Sequence, residues 1–142
     1  MRILGLDIGT KTIGVALSDE LSLTAQGLFT LKRKGLQSDI RELEKLIDER
    51  CVERIVIGLP KNMNNTLGPS AKMVLSFIEE LVKSVKLPVI TWDERLSTVA
   101  AEKALLEADM SRKKRKQVID KVAAQLILQG YLDSHRRLTN PS

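Results

Sequence analysis

Apolar positions change their period several times along the chain, and each change marks an element. Residues 3–8 form a short apolar run ending in Asp7-Ile8-Gly9-Thr10, which predicts a strand running into a turn. A second run at 13–18 follows closely enough to pair with it as a hairpin. Residues 25–31 read as a third strand after the loop Asp19-Glu20-Leu21-Ser22. The period then lengthens. Leu36, Ile40, Leu43 and Ile47 recur every three or four residues between charges, which predicts a helix over 36–50. The β-branched stretch 54–57 predicts a buried strand, closed by Gly58-Leu59-Pro60. Residues 61–69 are rich in turn formers and predict a loop, after which Ser70 is the expected cap of a helix. The apolar stripe of that helix is Met73, Val74, Phe77, Ile78, Leu81 and Val82. A fifth strand is expected at 88–92, a helix capped by Ser97 to about Ala108, and a last helix over 117–134. The stretch before that last helix reads as a connector.

This order predicts an α/β fold: a five-stranded mixed sheet, its first three strands an antiparallel meander, then alternating helices and strands that cover both faces. The 142 residues suit one domain, expected over 1–138 with a frayed tail at 139–142.

Composition narrows the function. With 43% hydrophobic and 29% charged residues, the chain has the balance of an ordered globular protein. No stretch approaches the roughly 20 apolar residues of a membrane span, and charge appears too early for the apolar part of a signal peptide. The single cysteine, Cys51, permits no intrachain disulfide, so a reducing cytoplasmic setting and no membrane partner are expected. One histidine and one cysteine argue against a Cys/His zinc site. The formal charge of +5 is modest, but Arg112, Lys113, Lys114, Arg115 and Lys116 stand in one run. Such a run suits a polyanion. Aromatic residues are only 3%, so bases stacked on a platform of rings are not the expected mode of binding; Trp92 and Tyr131 read as core.

Acids stand at element ends. Asp7 closes the first strand, where α/β sheets present ligand sites, and Asp93 and Glu94 follow the fifth. Asp120 shares a helical stripe with Ala123, Ala124, Ile127 and Tyr131, so a carboxylate faces the sheet, either as part of a site or paired with Lys116 or Lys121. Together these acids form a spot that needs positive charge. Hard oxygen donors without His or Cys suit Mg²⁺ or Mn²⁺, and two such ions support in-line hydrolysis of a phosphodiester. Thr10 and Lys11 supply donors for a phosphate at the glycine turn, though neither usual phosphate-loop motif is present.

The motifs resemble those of the YqgF (RuvX) family of ribonuclease H-like proteins. The resemblance rests on Asp7-x-Gly9-x-Lys11-x-x-Gly14-Val15-Ala16-x-Ser18-Asp19, on Gly58-Leu59-Pro60, on Asp93-Glu94-Arg95-Leu96-Ser97-Thr98, and on Asp120-x-x-Ala123-Ala124-x-x-Ile127-Leu128. The motifs come in family order and span nearly the whole chain. Two positions depart: the family often has Arg at Thr12 and Gly at Asn65, and neither touches an acid.

The resemblance implies a ribonuclease H-like core with Asp7, Glu94 and Asp120 as catalytic, metal-binding acids and Asp93 as a further candidate ligand, because alternation alone does not say which neighbour faces Asp7. It implies a nuclease that matures the 5′ end of pre-16S rRNA, with a Holliday junction resolvase as the alternative. Lys11, Arg95 and the run 112–116 would bind the nucleic acid. The expected partners are pre-rRNA or branched DNA and the ribosome or its precursor, with the chain a monomer or weak homodimer. Two rivals belong to other classes. One is an ATP-handling protein of the actin and sugar-kinase type, which needs two such halves where this chain supplies one. The other is a non-catalytic ribosome-assembly or transcription factor on the same fold.

Overall fold

The computed structural model describes residues 1–61, 64, 66–94 and 112–139; for 112–120 and 136–139 it describes the helical backbone only. The elements are β1 (Arg2–Ile8), β2 (Thr12–Ser18), β3 (Ala25–Lys32), α1 (Leu36–Arg50), β4 (Val52–Leu59), α2 (Pro69–Ser84), β5 (Val89–Asp93) and α3 (Arg112–Thr139). The sheet order is β3-β2-β1-β4-β5. The pairs β1/β2 and β2/β3 are antiparallel, while β1/β4 and β4/β5 are parallel. The meander and the mixed sheet are as the hydrophobic pattern predicts. The helix expected over 97–108 lies outside the described residues.

The middles of β1 and β4, residues 3–6 and 55–59, read as unbroken apolar runs because both their faces are covered. On one face Leu4, Leu6, Ile55 and Ile57 pack with Ile40 and Leu43 of α1 and with Val74, Phe77 and Leu81 of α2. On the other, Ile3, Ala16 and Val56 meet Ala123, Ala124, Ile127, Leu128 and Tyr131 of α3. The second face is built for close approach. Gly27, Ala16, Gly5 and Val56 are successive cross-strand partners, so a row of mostly small residues crosses the sheet beneath the helix. A methyl group added at Gly5 would come within 2.7 Å of Leu128 Cβ and 3.2 Å of the Ala124 carbonyl oxygen. Neither atom can swing aside, so Gly5→Ala must lift α3 from the sheet. The expected loss is about 2 kcal/mol, or roughly 5–10 °C in Tm by thermal unfolding.

Polar contacts fix where α3 lies along this row. Gln129 Oε1 accepts the Ala25 N–H at 2.9 Å, and Gln125 Nε2 donates to the Ala25 carbonyl at 3.1 Å. Arg54 Nη1 donates to the Tyr131 hydroxyl at 2.8 Å, tying the same helix to β4.

Three local expectations need correction. The basic run does not form a connector: the helix begins at Arg112. Lys, Arg and Gln are strong helix formers, and the helix propagates outward from its packed stripe. Ser70 does not cap α2, which has Gly68 at its N-cap and Pro69 inside its first turn. A missing N–H and a preset φ suit proline there. Val82 is 47% exposed, because the buried stripe of α2 runs through Ala71, Val74, Phe77 and Leu81 instead. Among the described residues no helix is long and apolar enough to cross a membrane.

Candidate active site

Strands β1, β4 and β5 run parallel, so their carboxyl ends share one edge of the sheet, the usual site edge of such folds. Leu6 pairs with Ile57, and Gly58 and Leu59 pair with Trp92 and Asp93. One further rung along β1 brings Asp7 beside Gly58. Alternation then decides the faces. Gly5 lies under α3, so Asp7, two residues on, takes the α3 face as well. Gly58 is on that face too, where a methyl group would meet Ile127 Cδ1 and come within 2.9 Å of Glu94 Oε1. The Glu94 carboxylate therefore leans over Gly58, one strand spacing (about 4.8 Å) from the Asp7 strand. Asp93 takes the opposite face, because its partner Leu59 belongs to the core beneath α1 and α2.

Asp7 and Glu94 are half-buried, and both make polar contacts of their own. Asp120 stands on α3 one turn before Ala124, whose carbonyl lies over Gly5; its side chain lies outside the described residues. The stem of Lys121 lies against Gly27 of β3. Among the described residues, no three His, Cys, Asp or Glu side chains assemble a metal-holding group.

The β1–β2 turn brings a lysine to the same edge. The Gly9 N–H donates to the Thr12 carbonyl at 2.8 Å, and a side chain at 9 would press on that same oxygen at 2.9 Å. Glycine is what lets the turn close. Lys11 at its tip is exposed. Arg95 lies outside the described residues, and the 112–116 run occupies the first turns of α3. Trp92 and Tyr131 pack edge to face, 6.1 Å between ring centroids, against the α3 core.

Sequence reasoning missed two features. Asp19, part of the opening motif, accepts the N–H groups of Leu23 at 2.7 Å and Thr24 at 3.1 Å and so ties the β2–β3 loop. The Thr24 and then the Leu23 N–H hold its carboxyl below the ordinary 3.8. The second is the pair Arg33–Asp39, with Nε and Oδ2 3.0 Å apart and the Asp39 side chain only 2% exposed. The available signal was an acid inside the apolar stripe of α1, between Leu36 and Leu43.

Similarity to known proteins is consistent with this geometry. A protein of Clostridium kluyveri named "Putative pre-16S rRNA nuclease" is 63% identical over 133 residues, covering 94% of this chain and 97% of its own. One of the same name from Desulforamulus reducens is 60% identical over 134 residues, covering 94% and 98%. Among solved structures, Thermus thermophilus RuvC in complex with a Holliday junction substrate superposes with a TM-score of 0.60 at 14% identity over 95% of this chain and 96% of that one. The fowlpox virus Holliday junction resolvase gives 0.56 at 16% identity over 94% and 99%. At these identities the two likenesses show the ribonuclease H-like fold alone. The family described as "RuvX: Holliday junction resolvase" matches residues 1–134, and by that extent the chain belongs to it.

Proposed function

We propose that this chain is a divalent-metal-dependent endonuclease that hydrolyses phosphodiester bonds in structured nucleic acid, with the 5′ region of the 16S rRNA precursor as its substrate. The observation that carries the reading is the Glu94 carboxylate leaning over Gly58 toward the Asp7 strand, at the carboxyl edge of the parallel strands. The missing Cβ of Gly58 is what leaves room for it. Asp120, on the helix that covers this edge, is the third acid.

The donor set suits a hard cation. Carboxylates at Asp7, Glu94 and Asp120 would hold Mg²⁺ or Mn²⁺; Asp93 is left out of this proposed set because its register partner Leu59 packs in the core beneath α1 and α2. Such ions, when bound, polarise the phosphoryl oxygen and favour ionisation of the attacking water. The chain's own residues do the rest. Asp7 and Glu94 set the spot over which the phosphate lies. Lys11, at the tip of the turn, meets a neighbouring phosphate, and Arg95 follows directly after Glu94 to neutralise the strand.

The cations at 112–116 have a second physical reason to seek an anion. They crowd the positive pole of the α3 dipole, an unfavourable arrangement that a polyphosphate offsets. Binding should therefore weaken with salt. Replacing Lys113, Lys114 and Arg115 by Gln should reduce the slope of log K against log salt by about 2, measured by fluorescence anisotropy across a salt series. An unchanged slope would remove the run from the interface.

The names of the relatives favour RNA, while the family description favours four-way DNA. The deciding experiment offers both substrates in parallel, a 5′-labelled 16S leader with its mature end and a four-way junction, with Mg²⁺, Mn²⁺ or chelator. Site-selective cutting of the leader supports the reading. Cutting of the junction alone moves the substrate to DNA. Cutting undiminished by chelator overturns the metal-dependent mechanism.

A further inference from the structure

The β1–β2 turn is held from outside by one side chain. Arg33, just past the end of β3, donates its backbone N–H to the Lys11 carbonyl at 2.9 Å. Its Nη1 donates to the Gly9 carbonyl at 3.0 Å. One residue thus grips the turn on both sides of Thr10. The guanidinium is itself fixed on every side: Nε donates to Asp39 Oδ2 at 3.0 Å, the Phe77 ring lies 5.4 Å from its central carbon, and Met73 Sδ is 4.0 Å from Nη1. Asp39 is fully buried, and its other oxygen accepts the Lys34 N–H at 3.0 Å.

A buried ion pair is seldom the most stabilising choice, since an apolar pair of the same volume often serves as well. What it supplies here is direction. The planar fork of arginine spends one arm on Asp39 and aims the other at Gly9, which lysine cannot do with the same geometry. The turn it grips follows Asp7 within two residues and presents Lys11. We propose that Arg33, aimed by Asp39, is a positioning residue that sets the β1–β2 turn, and with it Asp7 and Lys11, for phosphodiester cleavage; this rests on the nuclease reading above.

The test compares Arg33→Lys and Arg33→Met with the native chain by thermal unfolding, by leader-RNA kinetics, and by amide hydrogen exchange, which needs no activity. Lysine keeps the charge beside Asp39, so Tm should return close to native. Its kcat should stay about 10–100-fold low, with KM changed far less, because the turn carbonyl is no longer held. Exchange at the Gly9 amide should quicken about tenfold or more in Arg33→Lys, while Leu6 and Ile57 in the sheet centre stay close to native rates; in Arg33→Met the sheet-centre amides quicken as well, because the unpaired Asp39 lowers global stability. Unchanged Gly9 exchange overturns the proposal, and so does a kcat that recovers in step with Tm in Arg33→Lys. A native chain that cuts neither RNA nor junction DNA would defeat the nuclease reading, and the exchange comparison alone would then decide for or against the clamp.

Discussion

Asp7→Asn should lower single-turnover cleavage of the 16S leader by roughly a thousandfold, about 4 kcal/mol of transition-state stabilisation, and leave the fold intact. The amide is isosteric with the carboxylate and sits in a half-buried position, so packing beneath α3 is undisturbed. Stability of the metal-free protein should stay within about 1 kcal/mol of native, because the amide keeps the shape of the carboxylate and one acceptor oxygen. The contrast appears when Mn²⁺ is added. A cation that binds the folded state alone raises the native Tm by mass action, and the variant should show a much smaller rise. Cleavage assay and thermal shift thus report on one site by independent routes. Equal cutting by the variant would place the chemistry elsewhere or in a contaminant, and an equal Mn²⁺ shift would remove Asp7 from the cation site.

The parts of the fold that could be read from sequence are those where burial is set by one element's own period. α1 falls on 36–50 as expected, because its stripe alternates cleanly with charge. The meander was legible because three short apolar runs are separated by turns too short for a crossover. Reading failed where a neighbour decides. The 112–116 run looked like a connector because no apolar position marks it, yet the packed stripe of α3 extends the helix through it. The choice between Asp93 and Glu94 depended on where β5 ends. Pairing of Asp93 with Leu59 extends the strand by one residue and puts Glu94 on the Asp7 face. The Arg33–Asp39 pair was missed because an acid in the apolar stripe of α1 signals a buried partner without saying which cation the fold brings to it. That Asp7 and Glu94 share one edge follows for a different reason: both stand at the ends of parallel strands, and parallel strands gather their ends at one edge whatever the loops do.

Gly58→Ala separates that gathering of acids from mere packing, and it should abolish most activity while sparing most stability. The added methyl meets two flexible groups, the δ-methyl of Ile127 and the Glu94 carboxylate, the latter at 2.9 Å. Ile127 can turn its chain end aside, and alanine loses less backbone freedom than glycine in a strand, so the net cost in stability should stay near 1 kcal/mol. Glu94 has no such latitude if its oxygen must remain over Gly58, one strand from Asp7. Displacing it by even a fraction of an ångström should lower kcat about a hundredfold. Gly5→Ala supplies the control on the same face of the sheet. Its methyl presses on Leu128 Cβ and on the backbone of Ala124, with no carboxylate among its nearest contacts. That variant should lose more stability and, at temperatures where it is folded, less activity. The two glycines therefore predict opposite rankings in unfolding and in cleavage. Were Gly58→Ala to cut the leader at the native rate, Glu94 would not need its place over β4, and the working arrangement of acids would have to be sought around Asp7 and Asp120 alone.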